Sequence, residues 1–127
     1  MQIETLTVGP VMTNCYIIAC EETKKAAVID PGGDPDIILE TCRVESLRPE
    51  LILLTHGHVD HMAGAAAIKQ ASAAQVLIHE GDREFVEHPH PYWAQMAGGA
   101  QAVAVDECLQ DGQELTLGSL PPVSYTH

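Results

Sequence analysis

Apolar and polar residues alternate over residues 2–8, with Ile3, Leu6 and Val8 as the apolar positions, until Gly9-Pro10 breaks the run. A period of two marks a half-buried strand. Residues 14–20 (NCYIIAC) predict a second strand, because Tyr16, Ile17 and Ile18 favour extended structure. The charged run 21–25 predicts a hairpin loop, and residues 26–30 (AAVID) a third strand. Pro31-Gly32-Gly33 interrupts the pattern. Asp34 suits a helix N-cap and Pro35 a first helical position, so a helix is expected over 35–46. Residues 51–55 (LILLT) form a continuous apolar run of strand length, expected to be buried on both faces. A helix of small residues over 62–73, a second buried strand over 75–79 (QVLIH) and a short helix from Gly81-Asp82 to Glu87 follow. Residues 88–99, with Pro89, Pro91, Gly98 and Gly99, predict an irregular surface excursion. A turn at 110–113 and short strands over 114–117 and 123–125 complete the pattern. The order βββ-α-β-α-β implies an α/β fold, a mixed sheet with helices packed on it.

The length of 127 residues suits one domain, and no repeat or internal boundary divides it. Hydrophobic residues make up 46% but aromatics only 4%, so Ala, Val, Ile and Leu must build the core. Eighteen acidic residues against six basic ones give a formal charge of −12. That balance excludes a nucleic-acid partner, which needs a basic surface, and disfavours an anionic membrane face. Small anions remain accessible locally through a metal. The N-terminus lacks the basic and apolar regions of a signal peptide, and no apolar stretch is long enough to span a bilayer. A soluble, cytoplasmic protein is expected. Cys15, Cys20, Cys42 and Cys108 form no C-x-x-C pair and are read as reduced, mostly buried thiols.

The chemistry concentrates in His56-Gly57-His58-Val59-Asp60-His61, which directly follows the apolar run 51–55. In an extended segment residues i and i+2 point the same way, so His56 and His58 can reach one metal ion. Gly57 between them offers freedom to bend inward. Asp60 and His61 lie where the chain turns into a helix and can hold a second ion. Two ions roughly 3.5–4 Å apart can clamp a reacting centre from both sides. Imidazole and carboxylate donors suit zinc, with iron or manganese as alternatives. A lone histidine would favour a loop without metal; three histidines and an aspartate at this spacing do not.

Thr55-His56-Gly57-His58-Val59-Asp60-His61 resembles the H-x-H-x-D-H motif of the metallo-β-lactamase superfamily. Thr13-Asn14-Cys15-Tyr16, Asp30-Pro31-Gly32-Gly33 and Ile78-His79-Glu80 resemble segments of its glyoxalase II group, the hydroxyacylglutathione hydrolases and related thioesterases. The resemblance runs from Leu6 to the last residue. It implies the N-terminal αβ half of an αββα sandwich. It implies two zinc ions, the first held by His56 and His58 and the second by Asp60 and His61. It implies thioester hydrolysis by a metal-bridging hydroxide that Asp60 helps to orient, with a small-molecule substrate. In the family the segment similar to 117–127 continues into His-Thr-Pro-Gly-His, and His127 matches its first histidine. Three further ligands would follow, so a single domain over 1–127, truncated at its C-terminus, is expected. An exposed inner sheet face would then favour oligomers. The alternatives are a hydrolase of the same fold acting on a lactone, phosphodiester or β-lactam, or sulfur chemistry, or an inactive half-domain serving as an interaction module. The acidic charge counts against an RNA nuclease, and the missing signal peptide against a secreted β-lactamase.

Other residues carry blander expectations. His79 is read as a hydrogen-bonded structural residue, and His88 and His90 as parts of a solvated loop. Asn14 and Tyr16 are assigned to the sheet edge and core, and Cys15 to a buried thiol rather than a nucleophile. Asp30 either supports the metal loop from behind through hydrogen bonds or simply forms a turn.

Overall fold

The alternating start of the chain folds into two antiparallel pairings. In the computed structural model, which describes residues 1–125, β1 (Gln2–Val8) pairs with β2 (Thr13–Ala19), and β2 with β3 (Lys25–Ile29). From β3 onward the pairing is parallel. β4 (Arg48–Leu53), β5 (Gln75–His79) and β6 (Glu107–Leu109) add in turn, giving a six-stranded mixed sheet in sequence order. Parallel neighbours need long crossovers. α1 (Pro35–Val44) provides the crossover between β3 and β4. α2 (Val59–Met62) and α3 (Ala65–Ser72) lie between β4 and β5.

Strand parity sorts the side chains between two faces. Val8, Cys15, Ile17, Val28, Ile52, Leu54, Val76 and Ile78 pack with Ile38, Cys42, Met62, Ala65 and Ile68 from the helices into the main core. The opposite face carries Leu77, Leu109 and Tyr125, with Leu51, Leu53 and Leu115 packed against them. A small antiparallel pair, β7 (Glu114–Leu115) and β8 (Val123–Ser124), borders that second cluster. Ile3 and Leu6 are an odd number of residues apart, so they fall on opposite faces, and Ile3 is exposed while Val8 is buried. Likewise Ile52 and Leu54 are buried but Leu51 and Leu53 only half so, which corrects the expectation of full burial on both faces. A continuous apolar run shows that both faces are apolar; it does not show that both are covered.

Four further expectations change. Asp34 adopts a left-handed conformation (φ 47°) and makes no side-chain cap bond; its Oδ2 instead accepts from the Gly9 N–H at 2.9 Å. The helix expected over 62–73 divides into α2 and α3 at Gly64, whose N–H donates to the Pro31 carbonyl at 2.7 Å. Residues 88–99 contain a helix, α5 (Pro91–Met96), with Pro91 in the first turn, where a missing N–H costs nothing. Tyr16 lies exposed on the sheet rather than in the core. The three-residue strand β6 was too short to be legible in the pattern. A 3-10 turn, Glu80–Asp82, leads into α4 (Arg83–Glu87). No helix among the described residues is long and apolar enough to cross a membrane. His127 lies outside the described residues.

Candidate metal centre

Two loops meet beyond the C-terminal ends of β3 and β4, the place where open α/β sheets commonly bind ligands. One carries Asp30 and the glycine pair after it; the other carries residues 55–61. Asp30 is 5% exposed and holds a left-handed conformation (φ 53°), which aspartate tolerates better than most residues. Its carboxylate is a hub. Oδ1 accepts from the Thr55 backbone N–H at 2.8 Å, and Oδ2 from the Thr55 hydroxyl at 2.6 Å. Oδ2 also meets His61 Nδ1 at 2.9 Å.

This network assigns both imidazole tautomers. A carboxylate can only accept, so His61 carries its proton on Nδ1. The single proton of the Thr55 hydroxyl is engaged by Asp30, so its oxygen accepts from His56 Nδ1, 2.8 Å away. Both rings are left with an Nε2 lone pair, the form in which imidazole ligates metal. Burial first, then the neighbouring His61 and His58, hold the His56 pKa below the usual histidine range and so favour the neutral ring.

The backbone is braced from two sides. The Thr13 hydroxyl donates to the Asp60 carbonyl at 2.8 Å. Gly32 passes so close to the loop that a Cβ there would sit 1.8 Å from the same carbonyl oxygen. On the other side the Gly57 N–H donates to Asp82 Oδ2 at 2.9 Å. A Cβ on Gly57 would lie 2.7 Å from the Phe85 Cβ. Gly57 is therefore required by the close approach of α4, not by freedom to bend as expected from the sequence.

The four donor residues named from the sequence gather here. The rings of His56 and His58 lie 4.5 Å apart, those of His56 and His61 4.1 Å apart, and His61 Nε2 is 3.6 Å from Asp60 Oδ2. His58 is exposed, whereas His56, Asp60 and His61 are half-buried. Asp30, His56 and His61 each place a ligand-type atom within 4.8 Å of the others. Imidazole and carboxylate donors gathered in this way suit zinc or iron. Both Asp30 oxygens already accept hydrogen bonds, which fits a role in orienting the imidazoles. The residues fit a metal site.

A cleft of about 510 Å³ opens beside the loop, lined by Gly57, His58, Val59, Asp60, Asp82, Phe85, His90 and Trp93. His90, exposed as expected of a solvated loop, also lines this cleft. Asp82, Phe85 and Trp93 were missed from the sequence. The one available signal was the placing of the only tryptophan in a proline-interrupted segment of an aromatic-poor chain. His79 accepts from the Gly81 N–H at 3.1 Å, as a structural residue would. Cys15 is fully buried, and burial above all, then Asp30 and Cys42, push its pKa up to about 12, so it is a protonated thiol.

Comparison with known proteins places this geometry. The family model of the metallo-beta-lactamase superfamily matches residues 8–126. The hydroxyacylglutathione hydrolase GloC of Haemophilus influenzae is 34% identical over 98 residues, covering 77% of this chain and 46% of that protein. Among solved structures, the B3 metallo-beta-lactamase BLEG-1 is similar with a TM-score of 0.78 at 28% identity, covering 93% of this chain and 57% of that one. TTHA1623 in a di-iron-bound form is similar with a TM-score of 0.76 at 30% identity, covering 88% and 56%. The chain spans about half the length of these proteins. Because the family match runs through both loops and five of the six strands of the main sheet in full, the chain belongs to the metallo-beta-lactamase superfamily.

Proposed function

We propose that this chain carries the metal-holding part of a metal-dependent hydrolase acting on thioesters, with zinc as the ion and iron as the alternative. The observation that carries the reading is the Asp30 hub, which presents the Nε2 atoms of His56 and His61 unprotonated beside Asp60 and His58. Such pre-set tautomers have an evident use in ligation. His56 and His58 would hold one ion, and Asp60 and His61 a second. When bound, such ions supply Lewis-acid polarisation of a carbonyl and a competent nucleophile at neutral pH. Asp60 lines the cleft, where its carboxylate can accept a proton from the attacking water and orient it. Thr13, Gly32 and Asp82 fix the loop that positions it.

Support for a thioester comes from the segments around Cys15, Pro31 and His79 and from the likeness to a hydroxyacylglutathione hydrolase. The likeness to BLEG-1 favours a second reading, β-lactam hydrolysis on the same fold. Elemental analysis of a purified protein that carries this chain together with the further ligands the resemblance implies, followed by assays with a thioester series and with a β-lactam, separates the two. Bound zinc or iron with thioester turnover is the expected result. A metal-loaded protein that opens the β-lactam and leaves thioesters intact overturns the thioester reading. A protein that retains no metal overturns both.

A further inference from the structure

We infer that the cleft between the metal loop and helices α4 and α5 is a subsite for a bulky, apolar, uncharged substituent of the substrate, with Phe85 and Trp93 as its specificity-determining residues. The inference rests on the hydrolase reading above and adds to it which substrates the site prefers.

The first argument is continuity. His58 and Asp60 share one cleft with Phe85 and Trp93, so a group bound against the aromatics lies beside the donor cluster. Its volume of about 510 Å³ lies within the usual range for small-molecule sites, roughly 300–1,000 Å³. The second argument is the placement of the rings. The chain has one Phe and one Trp, and both line this cleft while the core contains neither. They are 60% and 55% exposed, leaving apolar area in water that a ligand can cover.

The third argument is that the wall is held in place. The Phe85 Cβ abuts Gly57 of the metal loop. Trp93 stands edge-on to Tyr92 at 4.9 Å, and α5 is anchored by buried Ala94 and Ala97 and by His90 Nδ1 accepting from the Tyr92 N–H. The fourth argument is charge. The lining includes Asp60 and Asp82 and, among the described residues, no Lys or Arg, in a chain of net charge −12. An anionic substituent finds no Lys or Arg on these walls and faces two carboxylates, whereas a phenyl or branched alkyl group finds Phe85 and Trp93.

The substituent can sit on the acyl side or on the thiol side of the ester, and a matched set of substrates distinguishes them. S-phenylacetyl and S-acetyl esters of N-acetylcysteamine vary the acyl group; S-acetyl benzyl mercaptan varies the thiol. With the metal-loaded protein, at least one aromatic ester should exceed S-acetyl-N-acetylcysteamine in kcat/KM by tenfold or more. Trp93→Ala and Phe85→Ala should each reduce that preference about tenfold. Trp93→Leu and Phe85→Leu, which keep bulk against Tyr92 and Gly57, serve if the alanine variants fold poorly.

Binding is read separately on the metal-stripped protein. Trp93 is the only tryptophan, so its emission reports this cleft alone. It should shift on titration with an aromatic ester and stay fixed with S-acetyl-N-acetylcysteamine at equal concentration. A shift without any turnover in the loaded protein supports the cleft while removing the thioesterase reading. Turnover with no aromatic preference and an unmoved emission leaves the hydrolase reading intact and overturns the subsite.

Discussion

At the scale of single residues, the site depends on which atoms carry protons. His56→Ala in a metal-loaded protein that includes the ligands expected after His127 should remove nearly all hydrolysis while the melting temperature of the metal-free form changes little, because the ring is half-buried and outside the main core. Wild-type turnover with one metal fewer would contradict that assignment. Asp30→Asn tests the hub. An amide presents one oxygen where the carboxylate takes three hydrogen bonds, so the Thr55 and His61 contacts cannot all survive. Loss of such supporting partners typically weakens metal affinity by roughly 10–100-fold, and competition with a chelator would measure it. Gly57→Ala tests the opposite side of the loop. Its Cβ would meet the Phe85 Cβ and the Asp82 backbone, so overpacking should destabilise the fold by about 1–3 kcal/mol in a denaturant titration.

At the scale of elements, two carboxylates tie the segment before β6 to the rest of the fold. Asp106 Oδ2 accepts from Lys69 at 2.6 Å and from the Val76 N–H at 2.7 Å, and these lower its pKa, Lys69 contributing most. Glu87 accepts from the Val105 N–H and from Arg83, which lower its pKa in that order. A carboxylate with a depressed folded pKa takes up fewer protons than its unfolded counterpart. Its stabilisation is therefore present above the ordinary values, about 3.9 for Asp and 4.3 for Glu. It is lost as pH falls through the lowered folded values. The urea midpoint should drop as pH falls below about 4, and Asp106→Asn should flatten part of that drop. An equal fall in the variant would show that other carboxylates govern it.

At the scale of the whole molecule, the sheet presents two unlike faces. One is sealed by α1 and α3; the other leaves Leu51 and Leu53 half-buried and Ile3 and Tyr16 exposed. Apolar surface of this kind drives association. Light scattering on the 127-residue chain should show oligomers as concentration rises. The resemblance places three further ligands after His127. The 127-residue chain should accordingly bind zinc more weakly than a protein that includes them, since stable zinc sites usually use three or four protein donors. A monodisperse monomer with tight stoichiometric zinc would refute both expectations.

The sequence by itself determined what depends on local periodicity and on adjacent residues. Alternation placed β1, residues that favour extended structure placed β2, the short apolar run after the charged loop placed β3, the run 51–55 placed the end of β4, and the donor loop was evident because its four candidate ligands lie within six residues. Only the tertiary structure decided what depends on residues far apart in the chain. Asp30 was ambiguous between a turn and a support until β3 and β4 paired and brought it to Thr55 and His61, 25 and 31 residues away. Asp34 had the composition of a cap, but its bond to Gly9 won. Gly57 had local freedom as its obvious reason, and packing against α4 supplied the actual one. Phe85, His90 and Trp93 carried no periodic signal, because a cleft is formed between elements. Its walls acquire meaning only when the crossovers set α4 and α5 beside the metal loop.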